Sequence, residues 1–410
     1  MNPRLLIGAA LVSAATPAVA HADLFSGDQL RGTIDVRTGV ADGEQSWLRE
    51  GMGKTRLSGS ASGDEHGVLL GQGFLIWHPH FTWSLDGTLT LHSDSQLEPS
   101  VDVTEAFLSY RAPPHDGWRF SGRAGLFYPP VSLEHDGPGW TTTNTITPSA
   151  INSWIGEEVK VVGAEATAHH RFGEHDFSGT LGLFGYNDTS GTLLAFRGWA
   201  LGDVLPGVST SLPMPERSFP YQEGSRATTE LDGRVGYYAR FEYKPSGPIT
   251  LDIMHYDNAG DRRSDAHGQT DWETRFTNVG MRMALGDNTR LLAQAMTGQT
   301  VWGYNIPGFG YWMDQDFGAA YVLLAHDFGE QTISGRLDYF EISDNNPTPA
   351  PNNDENGWAA TADYQIALSR QMRLAFELLH VSSERQTRVD QGVARQQDQT
   401  TLQSSLRYGF

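Results

Sequence analysis

The feature that most constrains the fold is a strand-like pattern that recurs about sixteen times along the chain. In most segments apolar and polar residues alternate, so an extended strand would have one apolar and one polar face. Several strands, notably 174–187 and 315–328, are ambiguous in facing. Tyr364 and Ile366, for example, fall on the side opposite Asp363. The predicted strands are 31–38, 66–78, 80–93, 100–112, 117–128, 156–171, 174–187, 233–244, 249–258, 274–285, 289–300, 315–328, 331–343, 357–368, 371–384 and 398–410. This repetition indicates an all-β chain.

The connections between these strands alternate in length. Short ones carry turn formers, such as Gly173-Glu174 and Gly329-Glu330, because glycine tolerates positive φ. Longer ones lie at 39–65, 129–155, 188–232, 259–273, 301–314, 344–356 and 385–397, and only 94–99 is brief. Short periplasmic turns and long extracellular loops are typical of transmembrane barrels. We therefore predict an antiparallel up-and-down transmembrane β-barrel of about sixteen strands, with both termini in the periplasm.

The last strand ends the chain on an aromatic residue. Its alternation places Leu402, Leu406, Tyr408 and Phe410 on one face and Arg407 on the other. One face suits lipid and the other suits water, as a transmembrane barrel strand requires. The ending at Leu406, Tyr408 and Phe410 resembles the C-terminal assembly signal of bacterial outer-membrane barrels, which implies the barrel-assembly machinery as a partner.

The N-terminal residues have the pattern of a secretory signal. Arg4 precedes a short apolar run, and small residues follow, with cleavage expected after Ala20 or Ala22. The run is too short to span a bilayer as a helix, which takes roughly 20 apolar residues. We expect a signal peptide at 1–22 and a barrel at 23–410, and thus an outer-membrane location. The alternative is a mature N-terminal helix.

Composition excludes several classes of protein. A formal net charge of -20 argues against a nucleic-acid partner, since phosphate would be repelled. The chain has no cysteine, which rules out thiolate metal sites, disulfides and cysteine catalysis. A mean hydropathy of -0.40 fits poorly with a helical membrane protein. It suits a barrel, because each strand averages apolar residues that face lipid with polar residues that face water. No linker-like boundary divides the chain, so we expect one barrel domain.

The charged faces of the strands must point into the barrel. An Arg or Lys that faced lipid near the midplane would cost about 2–4 kcal/mol. This reasoning predicts a pore lining of Glu105, Arg119, Arg123, Arg234, Arg240, Arg282, Arg336, Asp338, Asp363, Arg373 and Glu377. Basic rings in a pore favour anions. The alternative is that these charges pair across neighbouring strands and only brace the wall.

Sixteen strands leave room for an aqueous channel, whereas eight fill their interior with side chains. Passive diffusion of small hydrophilic solutes is the default function. The pattern resembles outer-membrane porins across the mature chain, which implies outer-membrane lipid and lipopolysaccharide as surroundings and a homotrimer as the common state. Residues 122–130, Gly-Arg-Ala-Gly-Leu-Phe-Tyr-Pro-Pro, with Glu134, more loosely resemble the phosphate-selective porin O/P group. That group is expected to carry several lumen lysines. This chain has only Lys54, Lys160 and Lys244, so phosphate selectivity is not expected.

Two long connections can alter the pore. Segments 129–155 and 188–232 can each fold inward and constrict it, cap its outer mouth or contact another subunit. The second holds Leu193, Leu194, Phe196, Trp199 and Leu201, an apolar content unusual for a freely solvated loop. Burial in the lumen or at the rim would explain that content.

Other chemistry has weaker support. Acidic residues cluster in 257–271 and 344–355, but neither cluster has the spacing of a calcium loop, so we expect solvated loops and no metal or cofactor. His255 and His380 lie on predicted strands, yet no Ser-His-acid set accompanies them. We expect no enzyme. The remaining alternatives are a substrate-specific or structural and adhesive barrel and, less favoured, an outer-membrane hydrolase.

Overall fold

The computed structural model describes residues 26–57, 59, 65–215, 224–308, 310–346 and 352–410. The predicted signal peptide at 1–22 lies outside these residues, and so do residues 216–223 of the predicted loop 188–232. Within the described part, no helix is long and apolar enough to cross a membrane.

Sixteen antiparallel strands form one closed barrel, which confirms the predicted fold class. A separate two-stranded hairpin, β10 with β11, lies in the connection after β9. The strands are β1 Leu30–Ala41, β2 Glu65–Trp77, β3 Leu85–Asp94, β4 Val101–Arg111, β5 Trp118–Phe127, β6 Val161–Phe172, β7 His175–Gly185, β8 Gly236–Lys244, β9 Ile249–Asp257, β10 Asp265–Ala266, β11 Gln269–Thr270, β12 Glu273–Ala284, β13 Thr289–Trp302, β14 Met313–Phe328, β15 Gln331–Asp344, β16 Glu355–Ala367, β17 Met372–Arg385 and β18 Gln396–Gly409.

The last strand closes the barrel against the first. In the β1–β18 pair, Ile34 is opposite Tyr408 and Val36 is opposite Leu406. Closure leaves no strand edge unpaired, as the bilayer requires, because lipid cannot hydrogen-bond free backbone groups. The predicted pairing of the C-terminal strand with the chain near residue 34 is confirmed.

The outer surface is apolar because the strands alternate. Ile34, Leu337 and Leu402 are 52%, 66% and 52% exposed, whereas their chain neighbours Arg336 and Gln403 are buried. Alternation also settles two strands whose facing the sequence left ambiguous. On β7 the even-numbered residues point inward, and on β14 the odd-numbered ones do.

Short turns and long connections fall at opposite ends of the barrel, as predicted. The β6–β7 and β14–β15 turns contain Gly173 and Gly329, with φ of 60° and 64°. Glycine reaches such angles without a Cβ clash.

The helices lie in the long connections. They are α1 Ala150–Glu158 and α2 Thr192–Arg197, with 3-10 turns at Trp47–Arg49 and Gln386–Arg388. The predicted strand 156–171 is wrong at its start, because residues 156–158 end α1 and β6 begins at Val161. The predicted strand 80–93 likewise begins later, at Leu85.

Candidate functional site

Two long connections fold into the barrel and make its lumen the candidate site. We call residues 128–160 the first insert and residues 186–215 with 224–235 the second insert. The first insert carries α1, which begins after Ser149; the Ser149 Oγ accepts a hydrogen bond from Asn152 N at 3.3 Å. A serine cap satisfies a helix N–H that would otherwise lack a partner. All nine residues of α1 are buried.

Glu377 of β17 binds the backbone of the first insert. Its carboxylate accepts hydrogen bonds from Ile146 N at 2.7 Å and Thr147 N at 2.9 Å. Gln294 of β13 acts similarly, because its amide accepts from Leu133 N at 3.0 Å and donates to Val131 O at 2.9 Å. Wall side chains thus take the place of a neighbouring strand for this segment.

Arg336 of β15 holds the same insert with its guanidinium. It donates to the carbonyl oxygens of Thr147 at 2.6 Å and Pro148 at 3.0 Å. It also pairs with Asp338 at 2.8 Å and with Glu134 of the insert at 3.2 Å. Every polar edge of this buried arginine is engaged with the insert or the wall.

A dry aromatic core fills the lumen above these contacts. Trp154 of α1 packs edge-to-face against Phe276 and Phe317 of the wall, with ring centroids 5.5 and 5.2 Å apart. Trp199 of the second insert packs on Trp154 at 6.0 Å. These four side chains are at most 3% exposed. Each such aromatic pair adds about 0.5–1.5 kcal/mol beyond area burial.

The second insert is held by wall side chains, among them Arg385, which donates to Ala195 O at 2.8 Å, and by an ion-pair cluster. Asp203 pairs with Arg37 of β1 at 2.5 Å and with Arg56 at 2.9 Å. Arg37 and Arg56 each keep another carboxylate, Asp35 and Asp94, both at 2.9 Å. Although burial alone would raise it, the two guanidinium groups hold the pKa of Asp203 well below its usual range.

The two inserts are joined inside the lumen by buried charge. Glu157 at the end of α1 pairs with Arg197 at the end of α2 at 2.8 Å, and both side chains are fully buried. Glu158 accepts hydrogen bonds from Leu193 N at 2.9 Å and Gly191 N at 3.1 Å. Burial raises the pKa of Glu157 to about 7 even though Arg197 opposes the rise.

The short-turn end of the barrel is more open. A cavity of about 400 Å³ lies between the first insert and the wall near the β8–β9 turn. Lys244, Arg282 and Arg290 line it together with Asp136 and Asn144. Arg290 pairs with Asp327 at 2.5 Å, and Arg282 lies 3.4 Å from Asp136. The lumen is therefore filled toward the long-loop end and forms a basic vestibule at the short-turn end.

The residues predicted to line a pore fall into three groups. Arg336, Asp338, Asp363 and Glu377 are buried where the first insert meets the wall or at its margin. Arg123 pairs with Glu165 at 2.8 Å, and Arg240 pairs with Asp252 at 3.0 Å, as wall-bracing pairs would. Glu105 lies 3.4 Å from the Thr90 hydroxyl.

Arg119, Arg282 and Arg373 make up the third group, at the vestibule end. Arg119 bonds the ring of His169, and Arg373 donates to Gln365 at 3.0 Å. In the described part of the chain, neither has a carboxylate within 4.0 Å. Arg234 corrects the prediction: it precedes β8, is half exposed and pairs with Asp261 at 3.1 Å in the outer loops.

Sequence reasoning missed Arg37, Arg56 and Asp203. Arg37 had a readable signal, because Asp35 and Arg37 alternate with Ile34 and Val36 on β1. Arg56 and Asp203 lie in connections and carry no strand pattern.

The two strand histidines lie on the outer side of the barrel. His255 Nδ1 is 3.0 Å from Thr277 Oγ1, and His380 Nδ1 is 3.1 Å from Thr400 Oγ1. Their chain neighbours Met254, Leu379 and Val381 point into the lumen core. The positions of these histidines give no support to a catalytic set in the lumen.

The fold is that of outer-membrane porins. No protein-family model and no curated protein matches the sequence. The structure is similar to the outer membrane channel DcaP of Acinetobacter baumannii, with a TM-score of 0.53, 11% identity and coverage of 93% of this chain and 96% of that chain. It is also similar to the anion-selective porin from Comamonas acidovorans, with a TM-score of 0.51, 12% identity and coverage of 93% and 98%.

A third similar structure is Salmonella typhi OmpF in complex with daunomycin, with a TM-score of 0.50, 12% identity and coverage of 93% of this chain and 97% of that chain. At such identities the likeness establishes the fold alone. The chain is a porin-like transmembrane β-barrel, and these structures lend no support to the narrower likeness to phosphate-selective porins.

Proposed function

We propose that the protein is an outer-membrane channel of the porin class that passes small hydrophilic solutes, anions among them, through a lumen restricted by its two inserts. The observation that carries this proposal is the closed barrel of sixteen strands, with an apolar outer face and a charged vestibule. A barrel of this size encloses more space than its own side chains fill.

The two inserts determine how wide a route through the lumen we expect to be open to a solute. The core around Trp154 and Trp199 excludes water from much of the long-loop half of the lumen. A solute must pass beside this core or wait until an insert moves. We therefore expect a conductance well below that of an open barrel of the same strand number.

The vestibule supports a preference for anions. Lys244 lines the vestibule, and Arg119 and Arg373 lie beside short turns at the same end of the barrel. All three are exposed, and none has a carboxylate within 4.0 Å in the described part of the chain. Unpaired basic groups at the mouth of a pore raise the local concentration of anions and lower their entry barrier.

Planar-bilayer recording of the purified full chain tests the proposal. Stepwise conductance is expected, with a reversal potential in a KCl gradient that indicates chloride preference. The double variant Arg119→Ala/Arg373→Ala should move the Cl⁻/K⁺ permeability ratio toward one. Arg123→Ala is the matched control, because Arg123 is already neutralised by Glu165 at 2.8 Å. An unchanged permeability ratio in the double variant would show that these arginines only stabilise the barrel wall and do not select ions.

The filled lumen also favours a second candidate, a substrate-specific or structural barrel that does not conduct on its own. Absence of both conductance and solute uptake in liposomes would support this candidate over the porin.

We also propose that the channel is surrounded by lipopolysaccharide, is inserted by the barrel-assembly machinery and forms a homotrimer. The outward Leu406, Tyr408 and Phe410 fit recognition by that machinery.

A further inference from the structure

Four carboxylates from three distant parts of the chain meet near the long-loop rim of the barrel. We call Asp188, Glu230, Asp232 and Asp271 the acidic cluster. One oxygen from each of the first three lies within 4.8 Å of the others. The fourth, Asp271, belongs to the connection between β9 and β12 and is fully buried.

Backbone contacts bring these residues together. The two ends of the second insert run side by side, because Asn187 and Thr229 form a parallel bridge and Asp188 N donates to Thr229 O at 3.2 Å. Trp272 N donates to Asp188 O at 2.8 Å, which sets Asp271 beside the insert. The cluster thus sits where the base of the second insert meets the neighbouring loop.

Backbone N–H groups, among them those of Leu231, Gly233 and Asp261, donate to the carboxylates of the cluster, but few cations balance its charge. Arg234 lies 3.5 Å from Asp232 and is half exposed, and it is the one cation within 4.0 Å of the cluster in the described chain. Four carboxylates therefore face a single distant guanidinium. Burial of unpaired charge is costly, and a bound cation is a usual remedy.

Unpartnered oxygens point into the cluster. The Oδ1 of Asp271 has no hydrogen-bond donor in the described part of the chain, and neither has Oδ2 of Asp232, whose side chain is 2% exposed. The Asp271 carboxyl lies within hydrogen-bonding reach of Asp232. The fully buried Asp271 thus has one oxygen without a donor of its own, and its carboxyl faces another acid of the cluster.

We propose that the acidic cluster binds one divalent cation of the calcium class. Ca²⁺ takes six to eight oxygen ligands from carboxylates, carbonyls and water in a flexible geometry, whereas Mg²⁺ demands a near-ideal octahedron and keeps most of its water. The cluster holds oxygen donors from loops and no histidine, which does not suit zinc or copper. The cation clamps both ends of the second insert to the loop after β9.

This assignment departs from the sequence expectation of no metal. The acidic run 257–271 appears in the sequence as a solvated loop, and only its last residue joins the cluster. The other three ligands flank the second insert, about 40 residues apart in the chain. The proposal rests on this geometry and not on conduction by the barrel.

Calorimetric titration of the folded, calcium-free full chain with CaCl₂ tests the proposal. We expect one saturable site with a Kd of about 10⁻⁴–10⁻³ M, typical of extracellular modules. Asp188→Asn/Asp232→Asn should weaken binding at least tenfold, since loss of even an outer-sphere partner costs about 10–100-fold. Ca²⁺ should also raise the unfolding temperature of the native protein and leave that of the double variant unchanged.

The control is Asp398→Asn, which removes one exposed carboxylate near the same rim and should bind Ca²⁺ like the native protein. If the double variant does not fold, Glu230→Gln replaces it, because Glu230 is partly exposed. Absence of saturable binding to the native protein, or unchanged affinity in the cluster variants, would overturn the site. Mg²⁺ binding as tight as Ca²⁺ would overturn the assignment to calcium.

Discussion

The two inserts occupy the same lumen but are held by different forces. Wall side chains bind the backbone of the first insert, with Glu377 and Arg336 both fully buried against it. The second insert is held by shared ion pairs at Asp203 and by other loops, for instance through the hydrogen bond from Leu201 N to Lys54 O at 2.8 Å. Wall side chains also bind the second insert, since Glu355 accepts a hydrogen bond from Trp199 N at 3.1 Å. The inserts therefore differ in the ion pairs that Asp203 adds to the second one, and not in whether the wall holds them.

This difference implies an order of release. Freeing the first insert takes the backbone N–H donors from Glu377, which then keeps a hydrogen bond from Gln403 but no cation within 4.0 Å among the described residues. Freeing Asp203 leaves Arg37 and Arg56 with Asp35 and Asp94. A buried charge without its partner costs far more than one that keeps a second partner. We therefore expect the second insert to move more readily than the first.

Removal of Arg336 should have the largest effect. Arg336→Ala leaves Asp338 and Glu134 buried without a cation, which costs about 3–5 kcal/mol. We expect a lower urea midpoint in lipid vesicles, faster hydrogen exchange at Ile146 and Thr147, and a larger single-channel conductance.

Arg263→Ala is the control for this prediction, because the Arg263–Asp261 pair is 3.3 Å long and mostly exposed. Exposed pairs contribute about 0–1 kcal/mol. If Arg336→Ala kept the native urea midpoint and hydrogen exchange, the first insert would not depend on wall charge, and the contrast between the inserts would fail.

The junction between the inserts should depend on pH through Glu157. Burial raises its pKa from 4.5 to about 7 against the charge of Arg197, so the packed arrangement holds a proton that an open one would release. The resulting stabilisation is fully present below about pH 4.5 and is lost as the pH rises through about 7. The expected change is on the order of 3 kcal/mol. Glu157→Gln, which stays neutral, should lose this part of the pH dependence.

The measurement is urea unfolding of both proteins across that pH range. Other titrating groups contribute equally to the pH dependence of both proteins. Their contributions cancel when the unfolding free energy of Glu157→Gln is subtracted from that of the native protein. Glu330→Gln, in an exposed turn, should follow the native curve. Parallel curves for the native protein and Glu157→Gln would mean that Glu157 stays ionised at the junction.

The barrel was predictable from the sequence because each strand carries its own signal. Alternation sets the facing of β18 and β16, and turn residues such as those at Gly173 and Gly329 set the hairpins. The start of the predicted strand 156–171 was wrong because Gly156, Glu157 and Glu158 form the buried last turn of α1. Local pattern does not report what packs against a segment.

The same limit applies to the lumen. Alternation correctly indicates on which side of the wall Arg336 and Glu377 lie, but not that a folded insert stands in front of them. The pair of Arg37 and Asp203 spans 166 residues, and the acidic cluster joins both ends of the second insert to a separate connection. Such contacts arise from loop closure in three dimensions and leave no mark on the local sequence.

The smallest of these effects is expected at the second insert. Asp203→Asn removes a charge-assisted contact to Arg37 and Arg56, each of which keeps a second carboxylate, so the cost is about 1.5–3 kcal/mol. We expect a small fall in the urea midpoint, yet more frequent channel openings, because the second insert alone is loosened. Hydrogen exchange should quicken near Leu201 and stay slow at Ile146. Equal quickening at both positions would show that the two inserts leave the wall as one unit, and Asp398→Asn should change neither.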